Sequence, residues 1–267
     1  MKDIVRQVVV VLSTIAVIVV NGLASALPLN GLTTGEISDR FEVYFVPAGY
    51  VFAIWGLIYL ALLGYSIYQA LPSQRENPRL RRIGYLYALS CVANITWLFM
   101  WHYEVFELTV VTMIALLLLL VAVYLTLGTG RSSVSSGETW LVRVPFSIYL
   151  GWVTVATIAN VTSLLEYLNW MGWGIAPEVW AVIMLVAAAI IALAVGLTRG
   201  DLAFVLVIVW AFLGVAVKQS DTPLVAIPAA FLAGLVLPIP LLGVPHRGER
   251  LATQPTSSEG EGARDRW

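Results

Sequence analysis

The chain has 267 residues, of which 60% are hydrophobic and 12% are charged, and its formal net charge is −1. Soluble domains average about 45–50% apolar and about 25% charged residues, so this composition excludes a soluble enzyme and a disordered chain. The charge argues against a nucleic-acid partner, and one cysteine and two histidines exclude an internal disulfide and a histidine metal cage. The sequence therefore predicts an all-α, polytopic membrane helix bundle in a lipid bilayer, with no metal site.

Eight stretches are apolar and long enough to cross about 30 Å of hydrocarbon, which takes about 20 helical residues. They cover residues 4–27, 46–69, 83–101, 105–128, 142–165, 177–198, 202–217 and 223–243. The seventh is the shortest, and three prolines interrupt the eighth. The short connections make neighbouring spans antiparallel in a compact bundle.

The first span has a second interpretation as a secretory signal peptide. Lys2 and Arg6 precede an apolar run, and Ala24-Ser25-Ala26 offers the small residues of a cleavage site. Cleavage would leave seven spans with the new N-terminus outside. The apolar stretch reaches the length of a span, which favours a retained helix.

The basic residues orient the spans, because cytoplasmic loops of membrane proteins retain Lys and Arg. With a cytoplasmic N-terminus, all 15 basic residues except Arg40 and Lys218 fall on the cytoplasmic side. The prediction is a multi-pass protein of the plasma or inner membrane with both termini in the cytoplasm. Residues 244–267 then form a cytoplasmic tail, whose composition is that of a disordered segment.

The connection 28–45, on the predicted outer side, contains acidic residues and ends in aromatic ones. This composition fits either a lid over the mouth of the bundle or a solvated turn.

No predicted midplane carries an ionisable side chain. Ion-coupled transporters use such groups, so this class is disfavoured, and Lys218 lies too near a span end for a retinal protein. Phosphate-binding and zinc-protease motifs are also absent. The sequence therefore predicts no catalytic residues, and the protein is not expected to be an enzyme.

Aromatic and neutral polar side chains occupy the predicted interior, and helical spacing aligns them in stripes. The stripes are Trp55 and Tyr59 in the second span, Asn94, Trp97 and Trp101 in the third, and Tyr149, Trp152, Ala156 and Asn160 in the fifth. Such stripes are typical of a pocket for a flat apolar ligand. The alternative is that the amides join neighbouring helices by hydrogen bonds.

The tryptophans differ in their distance from the ends of the predicted spans. An interfacial belt at the span ends accounts for Trp101, Trp140, Trp170, Trp173 and Trp180. By contrast, Trp97, Trp152 and Trp210 lie too far from the span ends for this explanation.

Three segments resemble the TspO/MBR family, the tryptophan-rich sensory proteins related to the peripheral benzodiazepine receptor (translocator protein). They are residues 47–59, which contain Trp55 and Tyr59; the Asn94-x-x-Trp97 motif; and residues 149–160. The likeness covers residues 1–170, which would form a five-helix unit. Three further spans at 171–243 would either modify its cavity or take the place of the partner in a homodimer.

The resemblance implies a cavity reached from the side of the first connection and a porphyrin or heme-like tetrapyrrole as a non-covalent ligand. The residues carried over as ligand-binding are Trp55, Tyr59, Asn94, Trp97, Tyr149, Trp152, Ala156 and Asn160. The implied function is a membrane sensor or carrier. Two alternatives stay open: a small-solute transporter or scaffold, and the light-dependent porphyrin degradation described for some relatives.

The chain departs from the family pattern at several positions. The double proline is reduced to Pro47, Tyr50 replaces the tryptophan that follows it, and Ile148 stands where the fifth helix has proline. No Lys or Arg follows Tyr167 within five residues, so the proposed cholesterol-binding pattern is absent and sterol binding has no support.

Overall fold

The structure, a computed structural model, describes residues 1–27 and 29–242. This part of the chain is helical, with short connections and without β-strands. The predicted tail at 244–267 lies outside the described residues. The all-α fold class is confirmed.

Long helices account for the predicted spans. They are α1 (Lys2–Ala26), α2 (Ile54–Ala70), α3 (Pro78–His102), α4 (Phe106–Leu127), α5 (Val144–Tyr167), α6 (Pro177–Arg199), α7 (Leu202–Lys218) and α8 (Pro223–Val236). Within the described residues, 7 helical segments are long and apolar enough to cross a membrane, and α7 is a shorter apolar helix. Large apolar side chains such as Leu60 and Leu118 are exposed around the bundle, as expected of a surface in contact with lipid.

Three spans differ in detail from their predicted boundaries. A 3-10 turn at Gly49–Ala53 precedes α2, and a π-helical turn at Thr139–Arg143 precedes α5. The π turn ends two residues before Pro145, which has no N–H for the carbonyl four residues before it. The eighth predicted span is interrupted, since α8 ends at Val236 and a short helix, Ile239–Leu242, follows Pro238.

The helices form two groups in contact with each other. In the first group α1 packs on α2 and α3, α4 on α3 and α5, and α2 on α5. In the second group α6, α7 and α8 pack on one another, and α7 joins them to α5. This junction is tight, because a Cβ on Gly151 would lie 3.1 Å from both Phe204 O and Val207 Cβ.

Candidate functional site

A cavity of about 40 Å³ lies between α2, α3 and α5, at the predicted outer end of the bundle. Aromatic and small side chains form most of its wall, and the first connection forms the rest. The lining residues of this central cavity are Thr34, Ser38, Pro47, Phe52, Trp55, Trp97, Trp101, Trp152, Val155, Ala156, Ala159, Asn160 and Ser163. The indoles of three different helices therefore converge on one space.

The aromatic rings around the central cavity support one another. Trp152 meets Trp55 and Phe52 edge to face, with ring centroids 6.2 Å and 5.7 Å apart. Trp97 stacks on Trp101 at 5.8 Å, with 22° between the ring planes. Edge-to-face and stacked pairs are the favoured aromatic arrangements, so these contacts stabilise the ring orientations seen in the structure.

Three polar atoms of cavity-lining side chains have no hydrogen-bond partner among the residues that the structure describes. They are the indole N–H groups of Trp97 and Trp152 and the Asn160 side-chain oxygen. All three residues are buried, and the other amide atom of Asn160, Nδ2, donates to Thr109 Oγ1 at 3.0 Å. A buried unpartnered polar group costs about 1–3 kcal/mol. The wall therefore favours an occupant that offers hydrogen-bond acceptors to the indoles and a donor to the amide.

Five of the eight predicted ligand-binding residues line the central cavity: Trp55, Trp97, Trp152, Ala156 and Asn160. Tyr59 lies behind Trp55, whose ring it stacks on at 5.5 Å. Asn94 and Tyr149 belong instead to a neighbouring hydrogen-bond network. In it, Asn94 Nδ2 donates to Tyr149 Oη at 3.1 Å, and Asn21 Nδ2 donates to Asn94 Oδ1 at 2.8 Å. This network joins α1, α3 and α5.

Replacing Asn94 by leucine is expected to destabilise the bundle by about 1 kcal/mol, because interhelical hydrogen bonds in membranes are typically worth that much or less. The measurement is the SDS concentration at half-unfolding of the protein in maltoside micelles. Thr96→Val is the control, since the exposed Thr96 hydroxyl donates only to Val92 O of its own helix. An unchanged midpoint for Asn94→Leu would show that the network does not stabilise the fold.

The predicted ligand-binding set leaves out several residues of the site. Trp101, which lies on the predicted stripe of the third span and for which the interfacial belt was the other explanation, is buried and lines the central cavity. Trp210, which lies too far from the span ends for the predicted belt, does not line this cavity, and its Nε1 donates to Val51 O at 3.2 Å. Thr34 and Ser38 belong to a connection whose sequence has no helical periodicity. The spacing of residues therefore could not predict that they line the cavity.

The first connection covers the central cavity, and we call its residues 29–45 the cover. Its short helix Thr34–Ser38 begins with a capping box formed by Thr33 and Glu36. The end of α3 holds this helix, since Trp101 Nε1 donates to Thr34 O at 3.2 Å. The fully buried His102 ring places Nδ1 3.1 Å from Leu29 O and Nε2 3.1 Å from Thr34 Oγ1. Of the two sequence interpretations, the position of this segment favours the lid.

Two ion pairs hold the later part of the cover at the protein surface. Arg40 pairs with Glu104, and Lys218 Nζ lies 3.1 Å from Asp39 Oδ1. Exposed ion pairs of this kind contribute about 0–1 kcal/mol and weaken with salt. This part of the cover is therefore more weakly held than the part at His102.

The volume of the central cavity sets a condition on any ligand. Pockets for drug-sized molecules measure about 300–1,000 Å³, whereas this cavity holds about 40 Å³. A tetrapyrrole does not fit in this closed arrangement, so its binding requires displacement of the cover or rotation of the indoles. Among the described residues, no group of three or more His, Cys, Asp or Glu side chains could hold a metal ion.

The family comparison covers nearly the whole described chain. The sequence model of the family described as "TSPO-like protein" matches residues 7–241. The match extends past the five-helix segment and includes α6, α7 and α8. No curated protein and no solved structure matches the chain.

Proposed function

Since the chain belongs to the TSPO-like protein family, we propose that it is a multi-pass membrane sensor or carrier that binds a porphyrin or related tetrapyrrole in the central cavity. The observation that carries this proposal is the set of three unpartnered polar atoms on an indole-lined wall. A flat apolar ring would gain dispersion energy against the indoles. The propionate oxygens of a porphyrin would accept hydrogen bonds from the indole N–H groups, and a linear tetrapyrrole would add lactam N–H donors for the Asn160 oxygen.

The cover provides the route by which such a ligand reaches the cavity. Thr34 and Ser38 form the part of the wall that belongs to the cover, and the segment beyond them is held by two surface ion pairs. Movement of this segment would enlarge the cavity without separating the helices that carry Trp55, Trp97 and Trp152. The lining residues include no carboxylate, thiol or histidine, so the proposal is for binding and not for chemistry on the ligand.

Replacing Ala156 by leucine is expected to weaken protoporphyrin IX binding about tenfold, which corresponds to about 1.4 kcal/mol, because the larger side chain fills space against the indoles. Asn160→Leu should weaken binding as well, since it removes the unpartnered oxygen. Affinity is measured by titrating the shift of the porphyrin Soret band with full-length protein in maltoside micelles.

Two variants serve as controls for this experiment. Ala230→Leu makes the same change at an exposed position of α8, and Asn94→Leu removes an amide that lies outside the cavity. Both should bind the porphyrin with wild-type affinity. The proposal fails if wild-type protein does not shift the Soret band, or if Ala156→Leu and Ala230→Leu bind equally well.

A further inference from the structure

A second cavity lies at the same end of the bundle, between the ends of α5 and α6 and residues 42–45 of the first connection. Its volume is about 310 Å³, which is within the range of small-molecule sites. We call it the outer cavity. It shares no lining residue with the central cavity, so it requires a separate explanation.

Aromatic side chains form one wall of the outer cavity. Trp170 and Trp180 line it with ring centroids 5.2 Å apart, and Trp173 packs against both. Trp180 Nε1 donates to Gly172 O at 2.9 Å, which fixes the indole. A Cβ on Gly172 would lie 3.1 Å from that same nitrogen, and Gly172 has φ +60°. The backbone therefore approaches the ring closely and holds this wall in place.

Carboxylates form the polar part of the outer cavity. Glu42 and Glu166 line it, and the adjacent Glu178 carboxylate raises the pKa of Tyr44, which also lines it. None of the three glutamates takes part in an ion pair with another described residue.

No cationic side chain of the described chain lines this cavity. The two basic residues predicted to lie on this side, Arg40 and Lys218, pair with Glu104 and Asp39 instead. Within residues 1–27 and 29–242, no basic side chain therefore neutralises the negative charge around the outer cavity.

We propose that the outer cavity binds a hydrophobic organic cation through an alkylammonium group. Aromatic faces attract ammonium groups, and the attraction reaches about 2 kcal/mol or more when the cation is desolvated. Glu42 and Glu166 supply the compensating charge at long range, and the volume accommodates apolar substituents. A free cation and the choline headgroup of a phospholipid share this chemistry.

The test uses benzyltrimethylammonium and its neutral carbon isostere, neopentylbenzene, titrated into the full-length protein in maltoside micelles and followed by calorimetry. We expect saturable binding of the cation and at least severalfold weaker binding of the isostere. Glu166→Gln and Trp170→Leu should each weaken cation binding severalfold. Glu107→Gln removes an exposed carboxylate at the same end of the bundle but outside the cavity, and this variant should bind the cation as the wild type does.

Two further measurements identify the source of the cation and distinguish binding in the outer cavity from binding in the central cavity. Competition by dihexanoyl phosphatidylcholine, but not by dihexanoyl phosphatidylglycerol, would identify a lipid headgroup as occupant, whereas no competition by either would identify a free cation. Ala156→Leu, in the central cavity, should leave cation binding unchanged. Absence of saturable binding, equal binding of the isostere, or an equal loss in Glu107→Gln and Glu166→Gln would overturn the proposal.

Discussion

Replacing Asp201 by alanine is expected to lower the free energy of unfolding by about 3 kcal/mol. Asp201 is 7% exposed and stands immediately before α7, where its Oδ1 accepts from Phe204 N at 3.1 Å. Its Oδ2 accepts from Tyr124 Oη of α4 at 2.8 Å and from Ser147 Oγ of α5 at 2.6 Å. The alanine variant would lose a helix cap and leave two buried hydroxyl groups without their acceptor.

Two variants define this effect in an SDS unfolding titration of the protein in maltoside micelles. Asp201→Asn keeps one side-chain oxygen and should lose only part of the stability. Asp221→Ala removes an exposed carboxylate near the opposite end of α7 and should change the free energy of unfolding by less than about 0.5 kcal/mol. A loss for Asp201→Ala as small as that for Asp221→Ala would contradict a structural role of the buried carboxylate.

Replacing Gly214 by alanine is expected to destabilise the protein by about 1–3 kcal/mol through overpacking. A Cβ on Gly214 would overlap Val51 Cγ2 and lie 3.0 Å from Pro47 Cβ. Val51 is fully buried and Ala48 N donates to Gly214 O at 3.1 Å, so neither segment can move away freely. Thermal unfolding in maltoside micelles, followed by circular dichroism, measures the effect.

A double-mutant cycle tests the cause of this loss. Val51→Ala alone is destabilising because it removes buried methyl groups, yet it makes room for the new Cβ. The combination with Gly214→Ala should therefore be more stable than the two single effects predict, by about 1 kcal/mol. Gly234→Ala, at a helical position with open space, should be neutral or stabilising. Strict additivity of the two changes would show that the contact is not the reason for glycine at this position.

The Gly214 contact links the later helices to the central cavity. Pro47 and Phe52, on either side of Val51 in sequence, both line that cavity. A displacement of Val51 would therefore change the wall, and Gly214→Ala should weaken porphyrin binding as well as stability. In this way α7 supports the site, although it contributes no lining residue to it.

The class of the protein followed from local properties of the chain. Composition predicted a polytopic helix bundle, and runs of about 20 apolar residues predicted the helices, because each crossing of the bilayer has to satisfy its own backbone hydrogen bonds. The π turn before α5 and the interruption after Val236 changed boundaries but not the number of long helices described. The family resemblance, made on three short segments, was confirmed by the match over residues 7–241.

Side-chain pairing depended on the tertiary structure. Spacing placed Asn94 and Trp97 on the same helix face, but only the packing of the helices gave Asn94 a partner 73 residues away in α1. The Trp97 indole N–H has no partner in the described part of the chain. The sequence did not predict the role of Asn21 in this network, because a single amide in an apolar helix forms no periodic pattern.

What the sequence determined by itself was the helical membrane fold and the faces on which aromatic residues align, since periodicity and hydropathy are properties of each helix alone. What only the tertiary structure decided was the meeting of distant segments: the cover over the indoles, the aromatic wall formed by Trp170 and Trp180, and the acceptor that Asp201 offers to two other helices. Hydrogen bonding and packing between helices depend on how far apart and at what angle the helices lie. Neither quantity is encoded in the spacing of residues along one helix.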